Sequence, residues 1–375
     1  LPSEPKIFHG RDAEISEILR AFTQETPRIA VLGAGGMGKT SLTRIILHRT
    51  EITARYGQHR FFVSCDTAST KTDLANIIGA HLGINPGRDL ARPVVRSFLN
   101  CPPCLLILDN LETVWEPAEL RKDIEDFLCL LADVQHLALI ITMRGAERPA
   151  KVRWTRPFLQ PLQPLSQDAA QKVFFEITDD SERLSTDNID KILNLTGNIP
   201  LVIDLVSHLV ESDGSAEVLS RWEKEATTTV SEGHDHKSNL DLSISLSLSS
   251  PRMRTLPQAQ GLLSLLSMLP DGLSDVELRQ SKIPIQDILT CKAVLLRTSL
   301  AYTDEHQRLR VLVPIRQYMQ KQHPASSALV QPLLAYFTEL LHMHKRYMGT
   351  SSDSGIVSRI TSNLANIENM LQNGL

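Results

Sequence analysis

The stretch Gly33-Ala34-Gly35-Gly36-Met37-Gly38-Lys39-Thr40 fits G-x-x-x-x-G-K-[ST] at every fixed position. Its neighbours narrow the fold further. Arg28-Ile29-Ala30-Val31-Leu32 is a short apolar, β-branched run with the length of a buried parallel strand, and residues 41–47 carry apolar side chains at helical spacing. Strand, glycine loop and helix in that order make a phosphate cradle. Glycines let the backbone turn tightly with N–H groups aimed inward, and the first helical turn adds its own unpaired N–H groups. The expected binding residues are Gly33, Gly35, Gly36, Met37, Gly38, Lys39, Thr40 and Ser41. Lys39 would bridge the β- and γ-phosphate oxygens of a nucleotide, and the Thr40 hydroxyl would ligate Mg²⁺.

More strands follow. Residues 60–65, 105–109 and 137–143 are apolar runs of strand length, residues 157–162 suggest a fifth, and residues 72–82 show a helical pattern between the first two. Alternating strands and helices imply a parallel sheet with helices on both faces, whose ligands gather at the carboxyl ends of the strands. Asp109 and Arg144 each stand at such an end. Asp109 is placed to hold Mg²⁺ as a Walker B carboxylate, and Arg144 to meet a γ-phosphate as a cationic sensor.

Composition excludes several classes. The 375 residues suffice for two or three domains, and 42% hydrophobic with 22% charged residues describes an ordinary globular chain. A formal net charge of -4 supplies no basic field for nucleic acid or an anionic membrane. No apolar run approaches the ~20 residues that span a bilayer, and no secretory signal opens the chain. Five scattered cysteines suit a reducing, cytoplasmic compartment. Cys101-Pro-Pro-Cys104 runs straight into an apolar strand, which is a pre-strand turn and not a redox or zinc site.

Beyond residue 165 helical patterns take over. Ser166 is placed to cap a helix over 167–177, and residues 187–195 are helical with Gly197 closing them. Pro200 opens an apolar helix over 201–210. Residues 227–239 are polar and read as a loop, whose His234-Asp-His236 has no supporting metal ligands nearby. Residues 240–248 alternate strictly, which on period alone argues for a strand. Helices are expected over 255–269, 276–279 and 285–291, with a turn at 270–272 between the first two. Two strands over 296–302 and 308–313, flanking a polar stretch at 303–307, form a hairpin, so that this region is a winged helix. The chain is helical again from residue 325, with an interruption at 349–355.

These motifs together resemble the NB-ARC class of STAND signalling NTPases, in its fungal form. The resemblance rests on Phe8-His9-Gly10-Arg11-Asp12 before the first strand, GAGGMGKT, LLILDN at 105–110, Ile141-Thr142-Met143-Arg144, and Gly197-Asn198-Ile199-Pro200-Leu201 in place of the family's G-L-P-L. It implies a P-loop nucleotide domain over 1–164 of AAA+-like kind, a small helical domain over 165–230, a winged helix over 231–324 and the start of a helical region, in which repeats are conceivable, over 325–375. It implies ATP/ADP with Mg²⁺ as the ligand, Gly10 and Arg11 along the adenine and ribose side, Pro200 pressing on the adenine, and a helix at 240–248 where the period argues strand. Its winged helix packs against protein and does not read DNA. It implies self-association on activation, with an effector and a sensor outside this chain. Two positions depart from the pattern. Asn110 stands where many members carry a second acid, and VLVPIRQY at 311–318 lacks the Met-His-Asp that often senses ADP.

Three functions compete on this reading. The first is a nucleotide-operated signalling switch, at most a slow ATPase. The second is a turnover P-loop ATPase or kinase-like enzyme, against which no acceptor-binding domain stands out. The third is a winged-helix DNA-binding regulator using Arg297, Arg308, Arg310 and Arg316. Asn110 cannot accept a proton from water, so the nearest candidate base is Glu112; the alternative for Glu112 is an acid at a helix N-terminus.

Overall fold

The structure, a computed structural model, describes residues 1–87, 89–178, 186–222, 239–304, 306–348 and 353–373. The expected loop at 227–239 with His234 and His236 lies outside these residues except for Asn239, as do 349–352 and Glu305. Two compact units divide the chain, Leu1–Val173 and Phe174–Leu375.

The first unit is built on a parallel sheet of β1 (Arg28–Leu32), β2 (Arg60–Ser64), β3 (Cys104–Asp109) and β4 (Leu137–Met143), in the order β1-β4-β3-β2. Every residue of β1, β3 and β4 is buried, which is why these strands read as continuous apolar runs and not as alternation. Leu106, Leu108, Leu139 and Ile141 share one core with Leu74 and Ile78 of helix Lys71–His81, Val94 and Phe98 of helix Ala91–Leu99, and Phe127 and Leu128 of helix Ala118–Ala132. The register places the site. Leu32 pairs with Met143, Leu108 with Ile141 and Ser64 with Asp109, so the carboxyl ends of all four strands lie along one rim.

The fifth strand is not formed. Residues 157–162 contribute a single parallel bridge, Gly33 to Leu162, with the Leu162 N–H donating to Leu32 at 2.8 Å. Pro157 and Pro161 have no N–H to donate, so the segment cannot sustain a ladder. Residues 101–103 bend ahead of β3 and Cys104 is its first residue, in line with the pre-strand turn.

Helix Gln167–Ile177 has its Ala169 N–H capped by the Ser166 hydroxyl at 3.3 Å, and it runs across the boundary between the units. In the second unit, helix Thr186–Thr196 stops at Gly197 and Asn198, both at positive φ, and Pro200 supplies the first residue of helix Pro200–Asp213. Residues 239–248 are helical, against their period of two. Ser243 and Ser247, both fully buried, return their hydroxyls to the carbonyls of Leu240 and Ser243 at 2.8 Å each. Serines that bond to their own turn are packed at no polar cost, so an alternating Ser/Leu sequence suits a helix packed against helices 186–196 and 200–213.

A small antiparallel sheet follows, β5 (Leu273–Ser274), β6 (Tyr302–Thr303) and β7 (Arg308–Arg310) in the order β5-β7-β6. With helices Gln258–Ser267, Asp275–Gln280, Ile288–Arg297 and Val313–Gln322 it makes a winged-helix arrangement. The hairpin is shorter than expected. Residues 296 and 297 end a helix, Ser299 sits at φ 51°, and the Leu300 and Ala301 N–H groups both turn back to the Leu295 carbonyl, leaving only 302–303 as strand. Three helices close the described chain, Ser327–Tyr347, Asp353–Thr361 and Leu364–Asn373.

These last helices are tied to the small sheet by a buried polar network. Arg308, 8% exposed, pairs with Glu277 at 3.1 Å and donates to the Asp271 carbonyl at 2.8 Å, the Gly272 carbonyl at 2.9 Å and the Asn363 side chain at 2.7 Å. Asn363 donates to the other oxygen of Glu277, and Asn366 donates to Gly272 at 2.8 Å.

Candidate functional site

The glycine loop joins β1 to helix Lys39–His48, and its shape demands glycine. Gly36 and Gly38 lie at φ 79° and 85°, where a side chain would be strained. Lys39 is buried, and its ammonium donates to the carbonyls of Gly33 at 2.9 Å and Ala34 at 2.8 Å. Burial lowers its pKa, opposed by the charges of Glu112 and Asp109, while Arg144 adds to the lowering. The lysine therefore stands in one electrostatic cluster with two carboxylates and a guanidinium.

Asp109 closes β3, fully buried. It accepts from the Thr142 hydroxyl at 2.6 Å and lies within 2.9 Å and 3.0 Å of the Thr40 hydroxyl through its two oxygens. Burial pushes its carboxyl up to about 6, with the threonine donors pulling the other way. Thr142 in turn accepts from the Asn110 N–H at 2.9 Å. Asn110 takes φ 58°, a left-handed turn that asparagine tolerates and that swings the chain off the strand into the short helix Glu112–Trp115. Glu112 is 6% exposed. One of its oxygens lies 3.3 Å from the Nε of Arg144, and the other is buried with no hydrogen-bond partner. Burial raises its pKa, with its own backbone N–H, the charges of Lys39 and Arg144 and the Arg144 backbone N–H pulling it back.

Of the expected site residues, Lys39, Thr40, Asp109, Glu112 and Arg144 are thus brought together at the rim of the sheet. Ser41 follows in the first turn of the helix. Arg11 is a brace: buried, it pairs with Glu14 at 2.9 Å and donates to the carbonyls of Met37 at 3.1 Å and Gln163 at 2.7 Å, fastening the glycine loop to the segment after β4. Gly10 at φ 73° lies so close to helix Gln167–Ile177 that a Cβ would stand 2.3 Å from that of Ala169. The two residues line a cleft of about 550 Å³ with Phe8, Ile45, Ser166 and Lys172. Pro200 belongs to the second unit.

Sequence reasoning missed Thr142. Its signal was a lone hydroxyl inside an apolar strand, which means little until the register sets it beside Asp109. Among the described residues no group of three or more His, Cys, Asp or Glu forms a metal cage. One carboxylate and one hydroxyl, Asp109 and Thr40, nevertheless fit Mg²⁺, which takes most of its six oxygens from phosphate and water. Burial pushes the Cys104 thiol up to about 12, which disfavours the thiolate that a nucleophile needs.

Residues 2–160 match the sequence pattern of the family nSTAND1, Novel STAND NTPase 1. This region is a STAND P-loop NTPase domain. Nucleotide binding is implied by that family. The chain is also 27% identical over 228 residues to a putative disease resistance protein, RGA4, of Solanum bulbocastanum, an alignment covering 56% of this chain and 22% of the relative. Its fold is similar to that of a signal transduction ATPase with numerous domains from Pyrococcus horikoshii, a protein with a tetratricopeptide repeat sensor, at a TM-score of 0.57 and 13% identity. That likeness in fold covers 99% of this chain, the winged helix included, and 54% of the other. The chain spans about half of the archaeal structure and about a fifth of the plant relative.

Proposed function

We propose that the chain is the ATP/ADP-operated switch of a STAND signalling protein, closed with ADP and opened for self-assembly by exchange for ATP. The observation that carries this reading is the convergence of Lys39, Thr40, Asp109 and Arg144 at the carboxyl ends of adjacent parallel strands. In it Lys39 and the loop N–H groups hold the β- and γ-phosphates, Thr40 and Asp109 hold Mg²⁺, and Arg144 meets the terminal phosphate. Mg²⁺ would supply charge neutralisation between the phosphates. Gly10 lines the adenine side in the cleft that Arg11 braces.

Slow chemistry is part of the proposal. A base must take a proton from the attacking water, and Asn110, which follows the Walker B aspartate, cannot accept one. We assign residues 1–164 to nucleotide binding, 165–230 to the small helical domain, 231–324 to the winged helix and 325–375 to the lead into a helical region, with sensor and effector elsewhere. A cytoplasmic setting is supported by the free cysteines. No helix among the described residues is long and apolar enough to cross a membrane.

The DNA-binding reading is weakened by its own arginines. Arg308 is buried in the network above, Arg310 donates to the Pro270 carbonyl at 2.6 Å, and Arg316 donates to the Ser267 carbonyl at 3.3 Å. A guanidinium spent on protein carbonyls is poorly available to phosphates.

Extraction of nucleotide from freshly purified, desalted protein tests the switch. ADP at close to one per chain supports it, whereas protein that retains none and turns ATP over rapidly supports the enzyme reading. The contact that the resemblance assigns to Pro200 is tested separately, by the release rate of a fluorescent ADP analogue from Pro200→Ala, which should rise.

A further inference from the structure

We propose that Glu112 sets the preference between ADP and ATP, by competing with the terminal phosphate of a triphosphate for Arg144. The proposal rests on the nucleotide reading above and adds a regulatory residue to it.

The charges that act on Lys39 are those of Glu112, Arg144 and Asp109, so the cluster contains two cations and two carboxylates. Three of the four have a role near any bound phosphate. Lys39 sits inside the glycine loop, and Asp109 is shared with Thr40. Arg144 continues β4 past Met143 and is paired with Glu112 at 3.3 Å through Nε. Its side chain is 27% exposed, while the Glu112 side chain is 7% exposed. The cation can therefore turn toward a new anion, and the carboxylate has little room to follow.

The Glu112 carboxylate also has one oxygen left over. Its second oxygen is buried without a hydrogen-bond partner, an expensive arrangement for a carboxylate. A structural ion pair fills both oxygens, as Glu277 does with Arg308 and Asn363. A half-filled one fits a group whose partner is meant to leave. Any anion that recruits Arg144 must break or share this pair. A diphosphate ends at the groups that Lys39 and Thr40 hold and leaves Arg144 where it is. A triphosphate brings a further charged group to the rim, and Glu112 opposes it there. Glu112 is a positioning residue in this account, acting through Arg144 and not on the nucleotide itself.

The test is calorimetry with Mg²⁺ and either ADP or a non-hydrolysable ATP analogue, on the full chain. Glu112→Gln removes the competing charge with little change in shape. It should tighten the ATP analogue by roughly tenfold more than it tightens ADP, the size of one charge-assisted hydrogen bond. Arg144→Gln should weaken the analogue and spare ADP, and in that background Glu112→Gln should no longer change anything. Glu112→Asp, which keeps the charge but withdraws it by one methylene, should shift the analogue in the same direction as Glu112→Gln. Retained ADP binding also reports that each variant is folded. If Glu112→Gln moves both ligands alike, moves neither, or still tightens the analogue without Arg144, the competition does not exist. If the parent binds neither ligand, the nucleotide reading fails and takes this inference with it.

Discussion

Each unit buries a glutamate against an arginine, Glu112 with Arg144 in the first and Glu277 with Arg308 in the second, and the two pairs are finished differently. Arg308 reaches two backbone carbonyls, an asparagine and the carboxylate, and both oxygens of Glu277 are used. Arg144 is partly exposed, and one oxygen of Glu112 has no hydrogen-bond partner. Buried charges are tolerated when every donor and acceptor is met, so the second pair works as a fastening. The first is left able to exchange partners. On the proposal above, the buried oxygen that Glu112 leaves unpaired is what distinguishes its ion pair from that of Glu277.

The largest expected effect tests the fastening. Glu277→Ala leaves Arg308 buried without its carboxylate and should cost about 3–5 kcal/mol in denaturant unfolding. Glu112→Ala should cost about 1 kcal/mol or less, because Arg144 can turn to water. Equal losses would erase the contrast between the pairs. Next, Lys39→Ala should weaken ADP by roughly a hundredfold in calorimetry with the unfolding midpoint nearly unchanged, as two charge-assisted phosphate contacts disappear. Retained affinity would mean that the glycine loop is not the phosphate site.

Acid should act on the first unit through Asp109. Its carboxyl holds a proton up to about 6, above the ordinary 3.8, so its ionised form predominates only above that value. The Mg²⁺-dependent part of nucleotide binding should level off about one unit above that value and fall by roughly tenfold per unit below it. Stability measured in chelator should move the other way, rising as pH drops from about 6 toward 4, since the folded chain then binds the proton more tightly than the unfolded one. A flat Mg²⁺ profile between pH 5 and 7 would place the metal away from Asp109. The smallest effect concerns Asn110. At φ 58° its replacement by Gly should change stability by under ~0.5 kcal/mol and by Ala should cost about 1 kcal/mol, whereas Asn110→Asp should keep the fold and speed single-turnover hydrolysis.

Much of the first unit was legible because its physics is local. β1, β3 and β4 are buried on both faces and so are written as uninterrupted apolar residues, and the glycine loop needs glycine where φ is positive. The errors fall where a local signal has two solutions. Leu296 and Leu300 suit the end of a helix as well as a strand, and Ser243 and Ser247 look polar until their hydroxyls are seen to bond their own helix. Residues 157–162 have strand composition, but two prolines remove the donors. Arg308 reads as a surface arginine, because nothing nearby in sequence announces Glu277, Asn363 or the turn at 271–272. The Glu112–Arg144 pair was hidden for the same reason: each residue was suspected singly, and only the register of β3 on β4 makes them neighbours.

That turn at 271–272 bears on the order in which the chain can be completed. The Asp271 carboxylate accepts the N–H groups of Ala365 at 2.9 Å and Asn366 at 3.2 Å, and the Asn366 side chain accepts the Asp271 N–H at 2.9 Å. Helix Leu364–Asn373 therefore receives its N-terminal cap from a residue made more than ninety positions earlier. Ten residues are too few to hold a helix alone in water. As the polypeptide leaves the ribosome, this segment must stay frayed until the small sheet has formed to receive it, so its folding waits on the winged helix.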